Sequence, residues 1–432
     1  MNNYFQNLLK KIKNKQINIA VFGIGYVGIK LVLALAEKNC NVTCYDQDKK
    51  KLKKISEGKS PFSYIPDSDI KKIKKKLFFE NSYKNVVKAD IIIMCLPTPL
   101  TNNKPDLSSI KKCWMSIKKF VKKGQLIILE STTYPGCTEE IFLNDLKKKF
   151  KIDNEFFLSY SPERENPGDP KFNFKNTPKV VSGINKNSLK LCNIFYKIIT
   201  KKTVLSPSIK VAEMSKLLEN IYRSINIALI NELKIATHNL DINIYDVIKI
   251  ASTKPFGFQK FLPGPGTGGH CIPIDPIYFS WYSKKMGFDV KFIKLSSQIN
   301  SFRTSWIIKK ILDLTKNFIK PKILLLGLSY KKNIEDTRES ASIKIFEKFK
   351  ERNFNIDFCD PYNKSFLFHI KKRKKIINSK KFSNGLLNKY NMIILATDHD
   401  KFNYNSIKKS KKLVIDLRGK YKNIISKYIH HL

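Results

Sequence analysis

Short apolar runs recur along the chain, each breaking at Gly, Pro or Thr, and the stretches between them repeat apolar residues at helical spacing. The first organised segment, INIAVFGIGYVGIKLVLALAEKNCNVTCYDQD, predicts a buried strand over Ile17–Phe22, a glycine turn, a helix, and a second strand ending at Asp46. The runs Ala89–Pro99, Gln125–Gly136 and Phe156–Glu163 continue the pattern. Strands alternating with helices predict a parallel, doubly wound sheet, and such sheets bind ligands at the carboxyl ends of their strands. From about Ile209 the pattern changes. VAEMSKLLENIYRSINIALINELKIATHNL holds no Gly or Pro and reads as one long central helix, with a helical segment through Ile250 after it. A Gly- and Pro-rich loop follows, KPFGFQKFLPGPGTGGHCIPIDP, then more helix through about Phe318. At Pro321 a strand-turn-helix-strand unit returns, with CDPY (Cys359–Tyr362) where CYDQD stood, and NMIILATDH and KKLVIDLRG extend this second sheet. The fold class is therefore α/β: an α/β domain over 1–205, a helical bridge over 206–318 and a second α/β domain over 319–432.

A length of 432 residues agrees with several domains, because single cores stop growing well below it. The 42% hydrophobic content is enough for globular cores and too much for disorder. Charge is the unusual feature: 81 Lys plus Arg against 36 Asp plus Glu, a formal +45. Such an excess raises a positive field that attracts polyanions. The lysines, however, run through helix-like stretches from end to end (KLKKISEGK, DIKKIKKKL, SIKKSKKL) instead of clustering beside exposed aromatics as a nucleic-acid site requires. Compositional drift explains them better, and no nucleic-acid partner is expected. The eight cysteines form no CxxC pair, which fits free thiols in a reducing compartment and no metal site. MNNYFQNLLKKIKNKQ lacks a signal-peptide core, and no apolar run approaches the roughly 20 residues that span a bilayer. The expectation is a soluble, cytoplasmic protein without a membrane partner.

Gly23-Ile24-Gly25-Tyr26-Val27-Gly28 is a GxGxxG. Alone it is weak, but here it follows a strand, opens a helix and precedes Asp46 by about 20 residues. Gly23 allows the tight turn, Gly25 lets the backbone approach a pyrophosphate, and Gly28 permits close helix–sheet packing. The helix N-terminus then attracts phosphate. Asp46 would accept a hydrogen bond from an adenosine ribose 2′-hydroxyl and repel a 2′-phosphate, which points to NAD over NADP. Cys271 sits in a rigid loop, PGPGTGGHCIPIDP. A free cysteine is most often a buried structural thiol, but this backbone lets a ligand come close. A thiolate there could add to an aldehyde and pass through a thiohemiacetal to a thioester. Asp275 could assist proton transfer, and adjacent His270 reads as structural. Lys216 and Asn220 are one helical turn apart on one face. They are either solvated or, if that face meets Cys271, oxyanion-stabilising groups. SPERENPG (Ser161–Gly168) ends a strand with Glu163, Arg164 and Glu165.

These pieces resemble the UDP-glucose/GDP-mannose dehydrogenase family from about Ile17 to Lys420. FLPGPGTGGHCIPIDPIYFSW is the most specific motif, supported by AEMSKLLENIYRSINIALINE, ESTTYPGCTEE, SPERENPG and GLSYKKNIEDTRES. Within the family the chain is most similar to the branch acting on UDP-N-acetylglucosamine. The resemblance implies two Rossmann-like domains joined by a long central helix and a helical dimerisation core, hence a homodimer or higher homo-oligomer. It also implies four-electron oxidation of a sugar C6 alcohol by two NAD in sequence, supplying acidic sugars for a surface polysaccharide. Carried over by motif, Cys271 is the nucleophile, with Lys216, Asn220 and Asp275 in proton transfer and oxyanion stabilisation. Glu163 serves thioester hydrolysis, and Thr133 helps order the water. Gly23 to Gly28, Asp46, Pro97 and Thr98 match cofactor contacts, with Arg338 reaching the same cofactor. Arg164, Leu262, Gly264, Gly266, Gly268, Tyr330, Lys331 and Arg418 match positions that hold the UDP-sugar. Two departures bear on the sugar. Pro167 stands where the UDP-glucose branch carries a second glutamate, and Lys254–Phe258 lacks that branch's usual arginine. They favour UDP-N-acetylglucosamine, with UDP-N-acetylmannosamine, UDP-N-acetylgalactosamine and UDP-glucose open. The rivals are a polyanion-binding protein on an inactive dehydrogenase scaffold and a two-electron dehydrogenase that needs no cysteine.

Overall fold

The computed structural model describes residues 3–62, 64–152, 154–164, 174–316, 318–370 and 373–432. Two compact units divide the chain, Met1–Glu219 and Asn220–Leu432.

In the first unit, β1 (Asn18–Phe22), β2 (Asn41–Tyr45), β3 (Leu77–Phe79) and β4 (Ile91–Met94) precede a small hairpin of β5 (Leu100–Thr101) and β6 (Lys104–Pro105). After it come β7 (Leu126–Leu129), β8 (Phe157–Tyr160), β9 (Lys179–Val181) and β10 (Thr203–Leu205). The main sheet has the order β3-β2-β1-β4-β7-β8 and is parallel throughout. Every residue of β4, β7 and β8 is buried. Helices cover both faces of such a sheet, so its strands read as unbroken apolar runs, not alternations. In register, Ile19 lies between Val42 and Ile91. The helix Tyr4–Lys13 had no counterpart in the sequence reading. It is capped by Asn3, whose side chain accepts from the Gln6 amide, and its Leu8, Leu9 and Ile12 join the core with Leu191 and Phe195.

The helix Ile209–Asn239 runs 31 residues, beginning in the first unit and ending in the second. The helical segment after it is Ile244–Ala251, and the helices after the Gly-Pro loop are Asp275–Lys285 and Lys291–Thr315. The second sheet comprises β11 (Lys322–Leu326), β12 (Asn355–Cys359), β15 (Met392–Leu395), β16 (Leu413–Asp416) and β17 (Ile429–His431), in the order β12-β11-β15-β16-β17 and again parallel. Between β12 and β15 stands an antiparallel hairpin of β13 (Ser365–Ile370) and β14 (Arg373–Asn378), which the sequence reading lacked, as it lacked β17. Two Rossmann-like parallel sheets and a long helix are thus the observed architecture.

Candidate active site

The glycine turn of the first unit has the geometry its sequence predicts. Gly23 has φ +91°, and a Cβ there would lie 2.6 Å from the Cys95 carbonyl oxygen. A Cβ on Gly28 would meet the Gly23 carbonyl oxygen at 1.9 Å, so only glycine lets the helix start against its own turn. Gly25 differs: its Cβ would meet nothing within 4 Å. That open space over a helix N-terminus is the cradle a dinucleotide pyrophosphate fits. Tyr26 stacks on Tyr64 at 5.5 Å and packs against Phe62, fixing the first helical turn, in which Val27 follows half-buried. Asp46 accepts from the Ile24 amide at 2.8 Å, the Asp48 amide at 2.8 Å and the Lys51 ammonium at 2.9 Å. A carboxylate has about four lone-pair sites, so these three donors, among the described residues, leave one for a ribose hydroxyl. The Ile24 amide, engaged here, ties the turn to β2. Pro97 and Thr98 follow β4 at the carboxyl end of the sheet, with Thr98 buried.

At the ends of β7 and β8 a polar cluster forms. Glu163 Oε2 lies 3.2 Å from the Lys179 ammonium, which also lies 3.1 Å from Glu130 Oε1. The Arg164 guanidinium turns elsewhere, to the Pro178 carbonyl at 3.0 Å and Glu219 at 2.7 Å. Glu165, Pro167 and the rest of the SPERENPG motif beyond Arg164 lie outside the described residues. Thr133 is fully buried and donates to Glu213 Oε1 at 3.4 Å. Glu213 also accepts from the Thr138 amide and hydroxyl and from the Gly136 amide. Burial pushes its carboxyl up to about 7 against those bonds. Glu213 thus organises the STTYPG turn, a role its AEMSK context did not signal. Lys216, one turn later, is mostly buried on the same helix.

In the second unit, Asn220 Nδ2 donates to Asp275 Oδ2. Asp275 is buried and opens the helix Asp275–Lys285. Its amide donates to the Cys271 carbonyl at 2.9 Å, as does that of Ile274 at 3.1 Å. Cys271 is half-buried at the end of the loop, while burial, with Arg338 beside it, holds the neighbouring His270 imidazole below the usual range. Three of the four predicted loop positions pack closely on other parts of the second unit. Gly264 donates to Asn231 Oδ1 at 3.0 Å, and its Cβ would lie 3.2 Å from Arg418 Nη1. Gly266, at φ +147°, packs on Thr304, and Gly268 on Tyr330, where a Cβ would meet the tyrosine Cβ at 2.4 Å. Leu262 is exposed at the loop's start. Burial pushes the Tyr330 phenol up to about 12. Lys331 follows it, half-buried, and Arg418 Nε donates to Asp398 at 3.0 Å. Arg338 is held bidentately by Asp336, and its carbonyl accepts from the Gly269 amide. Sequence reasoning missed Arg303, whose fully buried guanidinium donates from Nε to the Gly264 carbonyl at 3.2 Å. No motif marks it. Among the described residues, no cluster of three or more His, Cys, Asp or Glu could hold a metal ion, and no helix is long and apolar enough to cross a membrane.

A glycine cradle with a strand-end acid in one unit, and a cysteine loop braced on a second parallel sheet in the other, define a nucleotide-dependent oxidoreductase. The chain belongs to the UDP-glucose/GDP-mannose dehydrogenase family: residues 17–200 match its NAD binding domain, 210–302 its central domain and 324–423 its UDP binding domain. It is accordingly an NAD-dependent nucleotide-sugar dehydrogenase. It is 34% identical to the UDP-N-acetyl-D-glucosamine 6-dehydrogenase of Pseudomonas aeruginosa, over 81% of this chain and 83% of that protein. It is 32% identical to the UDP-N-acetyl-D-mannosamine dehydrogenase of Methanococcus vannielii, over 96% and 95%. The solved UDP-D-ManNAc dehydrogenase of Pyrococcus horikoshii superposes with a TM-score of 0.82 at 28% identity, covering 96% of this chain and 98% of that one.

Proposed function

We propose that the protein oxidises the C6 hydroxymethyl group of a UDP-N-acetylhexosamine to a carboxylate, with UDP-N-acetylglucosamine as the preferred sugar. The observation that carries this reading is the Cys271 loop: a half-exposed thiol whose carbonyl caps a helix opened by Asp275, itself bonded to Asn220. A two-electron dehydrogenase has no use for such a thiol. NAD supplies the acceptor for each of the two hydrides. The Cys271 thiolate adds to the C6 aldehyde, forming a C–S bond and an oxyanion that the Asn220 amide and the Lys216 ammonium stabilise. After the second oxidation the group is a thioester. Water then attacks its carbonyl, its proton passing to Glu163, with Thr133 helping to order the water. The C–S bond breaks, and the thiolate returns. Gly264, Gly266, Gly268, Tyr330, Lys331, Arg418 and Arg164 are proposed to hold the UDP-sugar, Leu262 to border it, and Arg338 to reach the cofactor.

UDP-N-acetylmannosamine is the second reading, favoured by the relatives named for that sugar. The homodimer is also proposed. Val211, Leu218, Tyr222, Leu229, Leu233 and Leu240 are all exposed along and just past one helix at alternating spacings of seven and four, the seam that paired helices bury. Light scattering giving a monomer mass would overturn it. The activity test is the NADH formed per mole of limiting UDP-N-acetylglucosamine by wild type and Cys271→Ala. Two equivalents from wild type, and failure of the variant to reach the acid, are expected. One equivalent, untouched by the substitution, makes Cys271 a structural thiol. A faster turnover of UDP-glucose or UDP-N-acetylmannosamine reassigns the sugar. No turnover of any UDP-sugar returns the polyanion reading.

A further inference from the structure

Lys179 opens β9 with its side chain turned inward, 4% exposed. Its ammonium lies 3.1 Å from Glu130 and 3.2 Å from Glu163, so one cation serves two carboxylates. Glu130 follows β7 and is wholly enclosed: the Tyr196 hydroxyl donates to Oε1, and the Cys95 thiol faces Oε2 at 3.6 Å. The rings of Tyr196 and Phe174 stand 4.9 and 5.2 Å from the ammonium, screening it from water. Glu163 is the outer member of the chain, 13% exposed. Burial disfavours the ammonium, yet the two carboxylates outweigh it and hold Lys179 above the usual lysine range. Burial likewise pushes Glu130 up, with Lys179 opposing it.

Two carboxylates on one buried ammonium are a poor device for stability, since desolvation outweighs much of the attraction and one charge is left uncompensated. They are a good device for setting basicity. A cation held by one carboxylate alone makes it a weaker base, and a second carboxylate close by makes it a stronger one. We propose that Lys179 is the positioning residue of Glu163, and that Glu130, by sharing the ammonium, leaves Glu163 basic enough to activate water. This rests on Glu163 being the base of thioester hydrolysis. In that step the water oxygen bonds to the thioester carbon, its proton goes to Glu163, and the electron pair of the broken C–S bond goes to the cysteine sulfur. No oxidant is consumed. Among the described residues, the titratable groups facing Glu163 and its cation include Lys179 on β9, Glu130 after β7, Cys95 after β4, and Cys192 and Tyr196 on the helix Lys186–Tyr196. The neighbouring Arg164 gives its amide to Glu163 Oε1 at 2.7 Å, while its guanidinium is engaged elsewhere.

The test uses the full chain with NAD and whichever UDP-sugar turns over fastest, following NADH against pH and the Cys271-bound acyl adduct by intact-protein mass spectrometry. Glu130→Gln leaves Lys179 to Glu163 alone, so the acid limb of the hydrolysis rate moves down by about one pH unit, with a lower plateau. Lys179→Met moves the limb up by about as much, and Lys179→Arg restores it. Lost packing would lower rates without moving the two limbs in opposite directions. Unmoved limbs, or limbs moved the same way, overturn the proposal; if Lys179→Met does not fold, Glu130→Gln decides alone. Glu163→Gln separates the two readings. Adduct accumulation there with an unmoved limb in Glu130→Gln defeats only the role of Lys179 and Glu130. Hydrolysis at the wild-type rate in Glu163→Gln defeats the base assignment, and this proposal with it.

Discussion

Alanine at Gly25 and at Gly28 should separate a glycine kept for a ligand from a glycine kept for the fold. Gly25 has φ −87° and ψ −159°, extended backbone that alanine adopts freely, and its new methyl would touch nothing within 4 Å. Gly25→Ala should therefore leave the stability of the ligand-free chain within about 0.5 kcal/mol of wild type. Gly28 lies inside the helix Tyr26–Glu37, where alanine would ordinarily gain about 1 kcal/mol. Its Cβ, however, would stand 1.9 Å from the Gly23 carbonyl oxygen. No rotamer relieves an overlap with backbone, so the turn must shift, at about 1–3 kcal/mol or more, and the net change is destabilising. NAD reverses the ranking of interest. At a hundredfold excess over Kd a ligand adds about 2.7 kcal/mol to wild type, and the Gly25→Ala methyl occupies the space that close approach requires. Urea unfolding with and without NAD measures all of this. If Gly25→Ala loses as much stability as Gly28→Ala, or keeps the full NAD-dependent gain, the division of labour in this turn is wrong.

Asp46→Asn should cut NAD efficiency about tenfold, the scale of one charged hydrogen bond, and raise the NADP-to-NAD ratio of kcat/KM; an unchanged ratio removes Asp46 from cofactor selection. Glu213→Ala leaves the Gly136 and Thr138 amides without their acceptor and should cost about 2–4 kcal/mol in urea unfolding, with part regained in Glu213→Gln. Because burial raises the folded Glu213 carboxyl from 4.5 to about 7, its contribution is greatest below about pH 4.5 and is lost as pH rises to about 7, some 3 kcal/mol by linkage. A stability–pH slope in that window that survives Glu213→Gln would refute the assignment. Asp360 runs the other way. Burial alone would raise it, but His399 and the Leu328 and Tyr362 amides hold it down at about 2 against a reference of 3.8. Its contribution, about 2 kcal/mol, is present above about pH 4 and lost between there and pH 2; Asp360→Asn should flatten that limb.

What was legible in the chain were the features with a local cause. The runs IIIM and LIIL announce strands because both faces of a parallel sheet are covered. The helix Ile209–Asn239 announces itself by thirty-one residues free of Gly and Pro. The parts that escaped depend on partners far along the chain. Tyr4–Lys13 is lysine-rich and looks like a solvated tail until its Leu8 and Ile12 meet Leu191 and Phe195. β13 and β14 hold as many polar as apolar residues and, among the described residues, pair only with each other. In the candidate site, Gly23, Gly25 and Gly28 were readable because they stand in a GxGxxG between a strand and a helix. Lys179 and Glu130 were not: a lysine among dozens has no signature until β9 carries it between two carboxylates. Nor was Arg303, since an arginine in a basic helix reads as surface until its Nε is found on the Gly264 carbonyl.

The echo between the two sheets shows how far pattern carries toward function. Asp46 and Asp360 both end the strand that follows the first crossover helix, and both accept amides from the preceding turn. Asp46 keeps some exposure and, with three donors among the described residues, an acceptor site to spare. Asp360 is sealed, its Oδ2 facing the Leu328 and Ser329 amides and His399, and its Oδ1 those of Tyr362 and Asn363. It has no capacity left for a ribose. The turn differs in the same sense. Ser329 stands two residues after Gly327 as Gly25 stands two after Gly23, but its hydroxyl is buried and donates to the Ile334 carbonyl at 2.6 Å. A pyrophosphate that could lie against Gly25 would meet a filled position at Ser329. The second sheet therefore cannot take a dinucleotide in the manner of the first. What that sheet has instead is the Gly264–Gly268 loop packed on Tyr330 and Arg418, the positions proposed above to hold the UDP-sugar, and on that proposal one strand-turn-helix pattern serves two different nucleotides in a single chain.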